Sequence, residues 1–306
     1  MTLIDAGNTD DKGLRFSLTI NPTAANRFLA GSGHTVAELL ADADSGRPLP
    51  HFPLRRRIAV TQTFVHSNAE SPNVAGVLEG DDLNLRNEYV ILSAHLDHLG
   101  IGAPVRGDRI YNGALDNAAG IASLIEIARH LHDSGVRLRR SVLFLAVTAE
   151  EKGELGSQYF AAHPTVPSGG IVADINMDMF MPLFPLRYLE VQGLGESTLD
   201  ASIREAAKDE GVKVQADKQP RRNRFIRSDQ YSFVKHGHSR ARLQVRLRSG
   251  NAGGKDISGM AAHALSRAVR RCVSAGGSRG GRAVRPRHRA PFNQRGERSG
   301  KASVAS

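Results

Sequence analysis

Residues 88–98 read EYVILSAHLDH, an apolar run that ends in a histidine and a carboxylate. Tyr89, Val90, Ile91 and Leu92 are bulky and mostly β-branched or aromatic, the composition of a strand buried on both faces. His95 and Asp97 follow two residues apart, a spacing that turns both side chains to one side of an extended chain. Ligands of open α/β sheets collect at the carboxyl ends of strands, where this pair falls.

Downstream, strand and helix patterns alternate as in a layered α/β domain. A loop of Gly, Pro and Arg leads to NGALDNAAG, and a helix is predicted over about 118–133, with Ile121, Leu124, Ile125, Ala128 and Leu131 on one face. SVLFLAVTAEE predicts a strand, ELGSQYFAAH a helix, and GGIVADINMDMF a third strand ending in carboxylates. STLDASIREAAKDEG predicts a helix capped at Ser197 and stopped at Gly211. A basic loop, RRNRF, precedes a short helix in SDQYSFVKHG ending at Gly237. Upstream, LRFSLTI and RIAVTQTFV alternate like strand pieces, and TVAELLADADSG sets Thr35 three residues before Glu38, a capping box, with Gly46 past its end. NVAGVLEG is expected to pair beside the 88–94 strand, because consecutive strands usually neighbour one another.

Composition limits the function classes. The single cysteine, Cys272, excludes an internal disulfide and a cysteine-based metal site. No apolar run reaches the roughly 20 residues that span a bilayer. MTLIDAGNTDDKG lacks the layout of a secretion signal, so either the protein stays where it is made or the chain begins downstream of its natural start. The net charge of +10 is unevenly placed: residues 237–306 hold 14 Arg and 2 Lys against 1 Asp and 1 Glu. The basic balance therefore belongs to the tail, whose Arg- and Gly-rich sequence shows no core-forming pattern, and 238–306 is expected to be disordered. Nucleic-acid binding through that tail is a remote alternative without aromatic interleaving to support it.

His95 with Asp97, Asp116, Glu150 with Glu151, and Asp178 stand at the ends of three apolar strands and one loop. Carboxylates crowded on one rim repel each other, and a divalent cation relieves that cost. Mixed imidazole and carboxylate ligation suits zinc, and two adjacent metals sharing a carboxylate would use the surplus of acids. Read singly, His98 and Asp174 are structural, Arg221, Arg222 and Arg224 form a solvated loop, and Asp229 either lines a substrate site or caps a short helix.

The segments SAHLDHLG, YNGALDNAAG, TAEEKGELGSQYF and NMDM, in that order, resemble the M28 family of co-catalytic zinc aminopeptidases over about 88–237. The resemblance implies an α/β fold, a three-layer α/β/α sandwich around a mixed, mostly parallel sheet. It divides the chain into 1–50, the remnant of an inserted protease-associated domain and its return linker, a catalytic domain at 51–237, and the tail at 238–306. It implies two Zn2+ ions: Asp116 bridges them, His95 and Asp178 complete one site, Glu151 binds the other, Glu150 is the general base, and Asp97 orients the His95 imidazole. The implied activity is hydrolysis of N-terminal peptide bonds by a zinc-activated water, with peptide or protein N-termini as substrate and no nucleic acid or membrane span involved. Relatives of this type are commonly exported, to the periplasm or outside the cell.

One departure stands out. The family's second zinc takes a further histidine from a Tyr-His-x-Pro-type segment near the C-terminus, and the surroundings of His236, His238, His263 and His288 do not match it. The expectation is an impaired peptidase, with a catalytically defective metal- or peptide-binding relative as the alternative. We hypothesise that the tail is out of frame. HSRARLQVRL at 238–247 and LSRAV at 265–269 can both be encoded so that reading one base later gives a buried strand and Tyr-His-Ala-Pro-Ser. The coding DNA decides this: codons at 265–269 that do not spell that peptide one base on end the idea.

Overall fold

A computed structural model describes residues 20–54, 61, 63, 67–179 and 186–237, together with the backbone of strands at 2–3, 241–249 and 301–305. The chain divides into two compact units, 9–66 and the remainder. In the smaller unit lie α1 (Pro22–Leu29) and α2 (Val36–Asp44). Thr35 and Glu38 close the expected capping box on α2. LRFSLTI and most of RIAVTQTFV lie outside the described residues.

The larger unit begins with β1 (Thr2–Leu3), then runs β2 (Asn68–Pro72), β3 (Val74–Leu78), β4 (Tyr89–His95), β5 (Gly100–Val105), β6 (Asp108–Tyr111), α3 (Ala119–Asp133) and β7 (Ser141–Val147). It continues with α4 (Leu155–Ala162), β8 (Ile171–Met177), β9 (Leu186–Gln192), α5 (Leu199–Asp209), β10 (Lys213–Ala216), α6 (Gln230–Lys235), β11 (Ala241–Ser249) and β12 (Lys301–Ala305). Seven strands form the main sheet in the order β10-β9-β11-β8-β4-β7-β3, and β1-β12-β2 make a second sheet. Pairing in the main sheet is parallel except for β11 with β9 and β3 with β7, the mixed, mostly parallel arrangement expected.

Alternation along the strands builds two cores. Val90 and Leu92 on β4, with Ala173, Ile175 and Met177 on β8, pack against Leu124, Ile127 and Leu131 of α3 and Leu199 and Ile203 of α5. Ile91, Leu143, Leu145 and Val147 face Phe160 of α4 and Phe233 of α6, whose rings meet edge-on. Helices therefore cover both faces, as a mostly parallel sheet requires.

Several local expectations are corrected. β3 pairs with β7 rather than β4, because both edges of β4 are taken by parallel partners. β3 also leaves Val74 57% and Val77 47% exposed, a pattern suited to a sheet edge and not to the doubly covered centre. On α3 the buried stripe is Leu124, Ile127 and Leu131, and Ile125 is 63% exposed, so the expected face was rotated. The Gly/Pro/Arg loop is the β5–β6 hairpin, turned at Arg106 and Gly107, both with positive φ. Most of the expected disordered tail lies outside the described residues, but two parts of it are strands. Ala241–Ser249 lies between β8 and β9, so the main sheet holds a strand within the segment expected to be disordered. Its sequence alternates Leu243, Val245, Leu247 with Gln244, Arg246, Arg248, a period of two masked by its arginines.

The close approach of α3 to β8 needs a glycine. A Cβ built on Gly120 would lie 2.3 Å from Asn117 Oδ1 and 2.5 Å from the Met177 carbonyl oxygen. Gly169 has open space and no positive φ. Gly120→Ala is therefore expected to lower the unfolding free energy by about 1–3 kcal/mol, and Gly169→Ala to change it by less than about 0.5 kcal/mol. Urea denaturation of the two variants checks this; equal midpoints would contradict the packing described.

Candidate metal centre

The strand order puts β7 and β8 on opposite sides of β4, so the chain's direction of travel across the sheet reverses at β4. The crevice beyond the carboxyl ends at such a switch point is where open α/β sheets hold ligands. His95 ends β4, Glu150 and Glu151 follow β7, Asp178 follows β8, and Asp116 sits in the turn before α3. His95 Nε2 lies 3.2 Å from Asp116 Oδ1, 3.6 Å from Asp178 Oδ1 and 4.0 Å from Glu150 Oε2. The sequence-picked ligands of one site are thus brought together.

Backbone geometry aims these groups. Asp116 is followed by Asn117, whose buried amide donates to the Met177 carbonyl (2.9 Å) and whose oxygen accepts from Gly120 N–H (3.0 Å). That bridge ties the α3 turn to the end of β8. Past β7, Ala149 adopts a left-handed conformation (φ 55°), turning the chain so that Glu150 and Glu151 rise over the sheet. Asn73 braces the same turn by accepting from Thr148 N–H (3.0 Å) and donating to the Gly156 carbonyl (2.8 Å). Just past β8, Asp178 accepts from the Ser228 hydroxyl, and on the strand Asn176 donates to Gln230 at the start of α6.

Asp97 plays its part differently from expectation. The His95 Nδ1 partner is the Asp97 backbone carbonyl at 3.0 Å, and the carboxylate oxygen is 3.8 Å away. The carboxylate instead accepts the N–H of Glu150 (3.0 Å) and of Glu151 (3.2 Å), because the left-handed turn points both amides at it. Asp97 therefore orients the imidazole through its main chain and clamps the two glutamates through its side chain.

His98, read from sequence as structural, enters the centre. Its Nδ1 lies 2.8 Å from Glu151 Oε1, and ligand atoms of His98, Asp116 and Glu151 lie within 4.8 Å of one another. His95, Asp116 and Asp178 form a second such group, so Asp116 belongs to both. The signal in the sequence was the three-residue spacing HLDH, which brings a second imidazole back to the rim as the chain turns off β4. Asp229 is wholly buried and makes no capping bond on α6, so it neither lines an open substrate site nor caps. Asp174 is buried and accepts from Ser93 (2.9 Å), the structural place expected. Arg224 pairs with Glu190 at 3.6 Å instead of standing in solvent, whereas Arg221 and Arg222 are exposed as expected. His238, His263 and His288 lie outside the described residues.

The donor set fits a cation. His95 Nε2, His98 Nδ1 and Glu151 Oε1 are buried, close to oppositely charged groups, and still not in hydrogen-bond geometry. Within each of the two groups the ligand atoms lie within 4.8 Å of one another, close enough for one cation to bridge them. Without a metal the charges settle otherwise. Burial pulls the His95 pKa down, but the Asp116 and Asp178 carboxylates outweigh it and push it up to about 12. Burial, then the charge of Asp229, raises Glu150 to about 9. Burial raises Asp174 to about 8 and Asp229 to about 7.

The sequence model of peptidase family M28 matches residues 73–258, well over half of the chain. The chain belongs to peptidase family M28. A Xenopus laevis carboxypeptidase Q is 29% identical over 120 residues, covering 39% of this chain and 23% of that protein. The fold is similar to that of a zinc aminopeptidase from Bacillus subtilis, with TM-score 0.50 and 20% identity over 67% of this chain and 51% of that one. It is equally similar to the LapA aminopeptidase of Legionella pneumophila, with TM-score 0.50 and 20% identity over 69% and 58%. A leucine aminopeptidase precursor from Bacteroides thetaiotaomicron gives TM-score 0.50 and 17% identity over 70% and 83%. The chain thus spans less than a quarter of the carboxypeptidase's length and about half of the Bacillus enzyme's. Membership and fold agree: the chain matches the M28 peptidase family, and its α/β fold is similar to that of zinc exopeptidases.

The buried acids set a sign for pH dependence. In the unfolded chain Asp174 and Asp229 ionise near 3.8, whereas folded they hold their protons to about 8 and about 7. Their stabilisation is complete below pH 4 and lost as pH climbs to 8, and His95 acts in the same direction above 6.5. With chelator present, unfolding free energy is expected to fall between pH 5 and 8 by on the order of a few kcal/mol, at about 1.4 kcal/mol per pKa unit. Asp174→Asn, which keeps the Ser93 acceptor, should flatten that slope in urea titrations; an unchanged slope would remove Asp174 from the account.

Proposed function

We propose that the chain is a zinc-dependent exopeptidase of the aminopeptidase type, with Glu150 as its general base. His95, Asp116 and Asp178 hold one zinc, and Asp116 also serves a second with Glu151. The reading is carried by His95 Nε2 at 3.2 Å from Asp116 and 3.6 Å from Asp178, with Glu150 4.0 Å away. Zinc in such a site supplies a Lewis acid that polarises a carbonyl and makes water acidic near neutral pH.

The chain's own residues then have separate duties. Glu150 takes the proton of the attacking water and returns it to the leaving amine. Its strong hold on a proton in the metal-free chain comes from burial and from Asp229, and cations beside it draw that hold back toward neutrality. Asp97 fixes the Glu150 backbone, and Ser228 steadies Asp178. The solved structures of similar fold are named aminopeptidases. That supports the aminopeptidase direction, although the Xenopus relative is named a carboxypeptidase. The second reading, a metal-binding but catalytically defective chain, draws on the unmatched C-terminal histidine.

The purified full chain is expected to release N-terminal residues from unblocked peptides, lose this on chelation and regain it with zinc. Glu150→Gln should reduce kcat by about 10²–10⁴-fold with zinc content unchanged. Wild-type protein that holds zinc and cleaves no peptide bond would establish the defective reading. Cleavage confined to C-terminal residues, or to N-blocked peptides, would reverse the proposed direction.

A further inference from the structure

Resting on the zinc reading above, we propose that His98 is the imidazole ligand of the second zinc site, in place of the histidine the family pattern draws from near the C-terminus. Asp116 and Glu151 alone give that site two protein ligands, and catalytic zinc sites have three with one position open. His98 makes the third. His98, Asp116 and Glu151 each place one ligand atom within 4.8 Å of the others, and His98 Nδ1 lies 2.8 Å from Glu151 Oε1.

Two observations separate a ligand from an ordinary ion pair. At 2.8 Å, His98 Nδ1 and Glu151 Oε1 are near enough to hydrogen bond, yet both are buried atoms outside hydrogen-bond geometry. The ring is also held from behind. Gly113 has φ 64°, and a Cβ on it would lie 2.7 Å from His98 Cβ and 2.9 Å from Cγ. The backbone there approaches the histidine as closely as a residue without a side chain allows, leaving the imidazole little freedom to swing away. His98 lies three residues after His95, and the segment leaving β4 places an imidazole in each group, with Asp116 common to both. The second site is then complete from residues 98–151 alone.

The test is metal binding, independent of turnover. The full chain, freed of metal by chelator, is equilibrated with buffered zinc and analysed for metal content. Calorimetric titration follows, and cadmium-113 resonances of the cadmium-loaded chain count the sites separately. Wild-type protein is expected to bind two zincs. His98→Ala should bind one, with affinity at the second site at least about a hundredfold weaker, since groups that merely support a ligand are already worth 10–100-fold. Retention of the other zinc by His98→Ala shows that the variant is folded. Asp178→Ala should lose the complementary site and keep the His98 one.

Two zincs in His98→Ala, with unaltered affinities, overturn the assignment. A wild-type chain with one zinc that Asp178→Ala removes and His98→Ala leaves alone also overturns it, while the first site stands. A wild-type chain that binds no zinc defeats both readings together.

Discussion

Carboxylates held against one another at the rim of a buried sheet are the constraint on which the rest of this structure depends. Asp116, Glu150, Glu151 and Asp178 reach one crevice, and Asp174 and Asp229 lie wholly buried behind it. Six acids so placed cannot all stay ionised unless positive charge enters among them. In the metal-free chain that charge comes from His95, held protonated against the pull of burial, and from protons retained by Glu150, Asp174 and Asp229. Such an arrangement costs stability at neutral pH and makes the crevice a strong attractor for divalent cations.

Neutral polar groups supply the precision that charge alone cannot. Asn73, Asn117 and Asn176 are almost fully buried, and each ties two separate segments together by side-chain hydrogen bonds. Ser93 donates to Asp174 and approaches Asn176, so the face of β8 that carries Asp178 is braced along its length. Gly120 and Gly156 complete these clamps, since a Cβ at either would overlap an asparagine oxygen and a neighbouring carbonyl. The candidate ligands thus sit on strand ends and turns whose positions are fixed by groups outside the candidate set, as a preorganised site requires.

What could be read from the sequence followed the strength of the local signal. β4, β7, β8, α2 and α4 were legible because long apolar runs, or a capping box, allow one reading only. His95, Asp116, Glu150, Glu151 and Asp178 were legible as a set because each follows such a run or falls in a family motif. β9, with its charged LRYLEVQ pattern, and the four-residue β10 gave no comparable signal. The β11 stretch was hidden because arginines occupy alternate positions, which reads as polar until the period of two is counted. The placement of Asp97 and His98 was illegible for another reason. Whether a side chain or a carbonyl meets an imidazole depends on the left-handed turn at Ala149 and the approach of Gly113, and neither is visible in composition or spacing.

The origin of the ligands in the chain bears on what the C-terminal residues are for. Both groups of candidate ligands come from between His95 and Asp178: Asp116 stands in the turn before α3, and the others end β4 or follow β4, β7 and β8. Residues 241–249 contribute through the sheet: β11 runs parallel to β8, with Val245 opposite Met177, the residue before Asp178. That pairing steadies the backbone leading to Asp178. With the second imidazole drawn from His98, as proposed, what the described backbone asks of residues 241–249 is strand pairing. An arginine-alternating strand meets that demand on backbone hydrogen bonds, which any residue but proline can make.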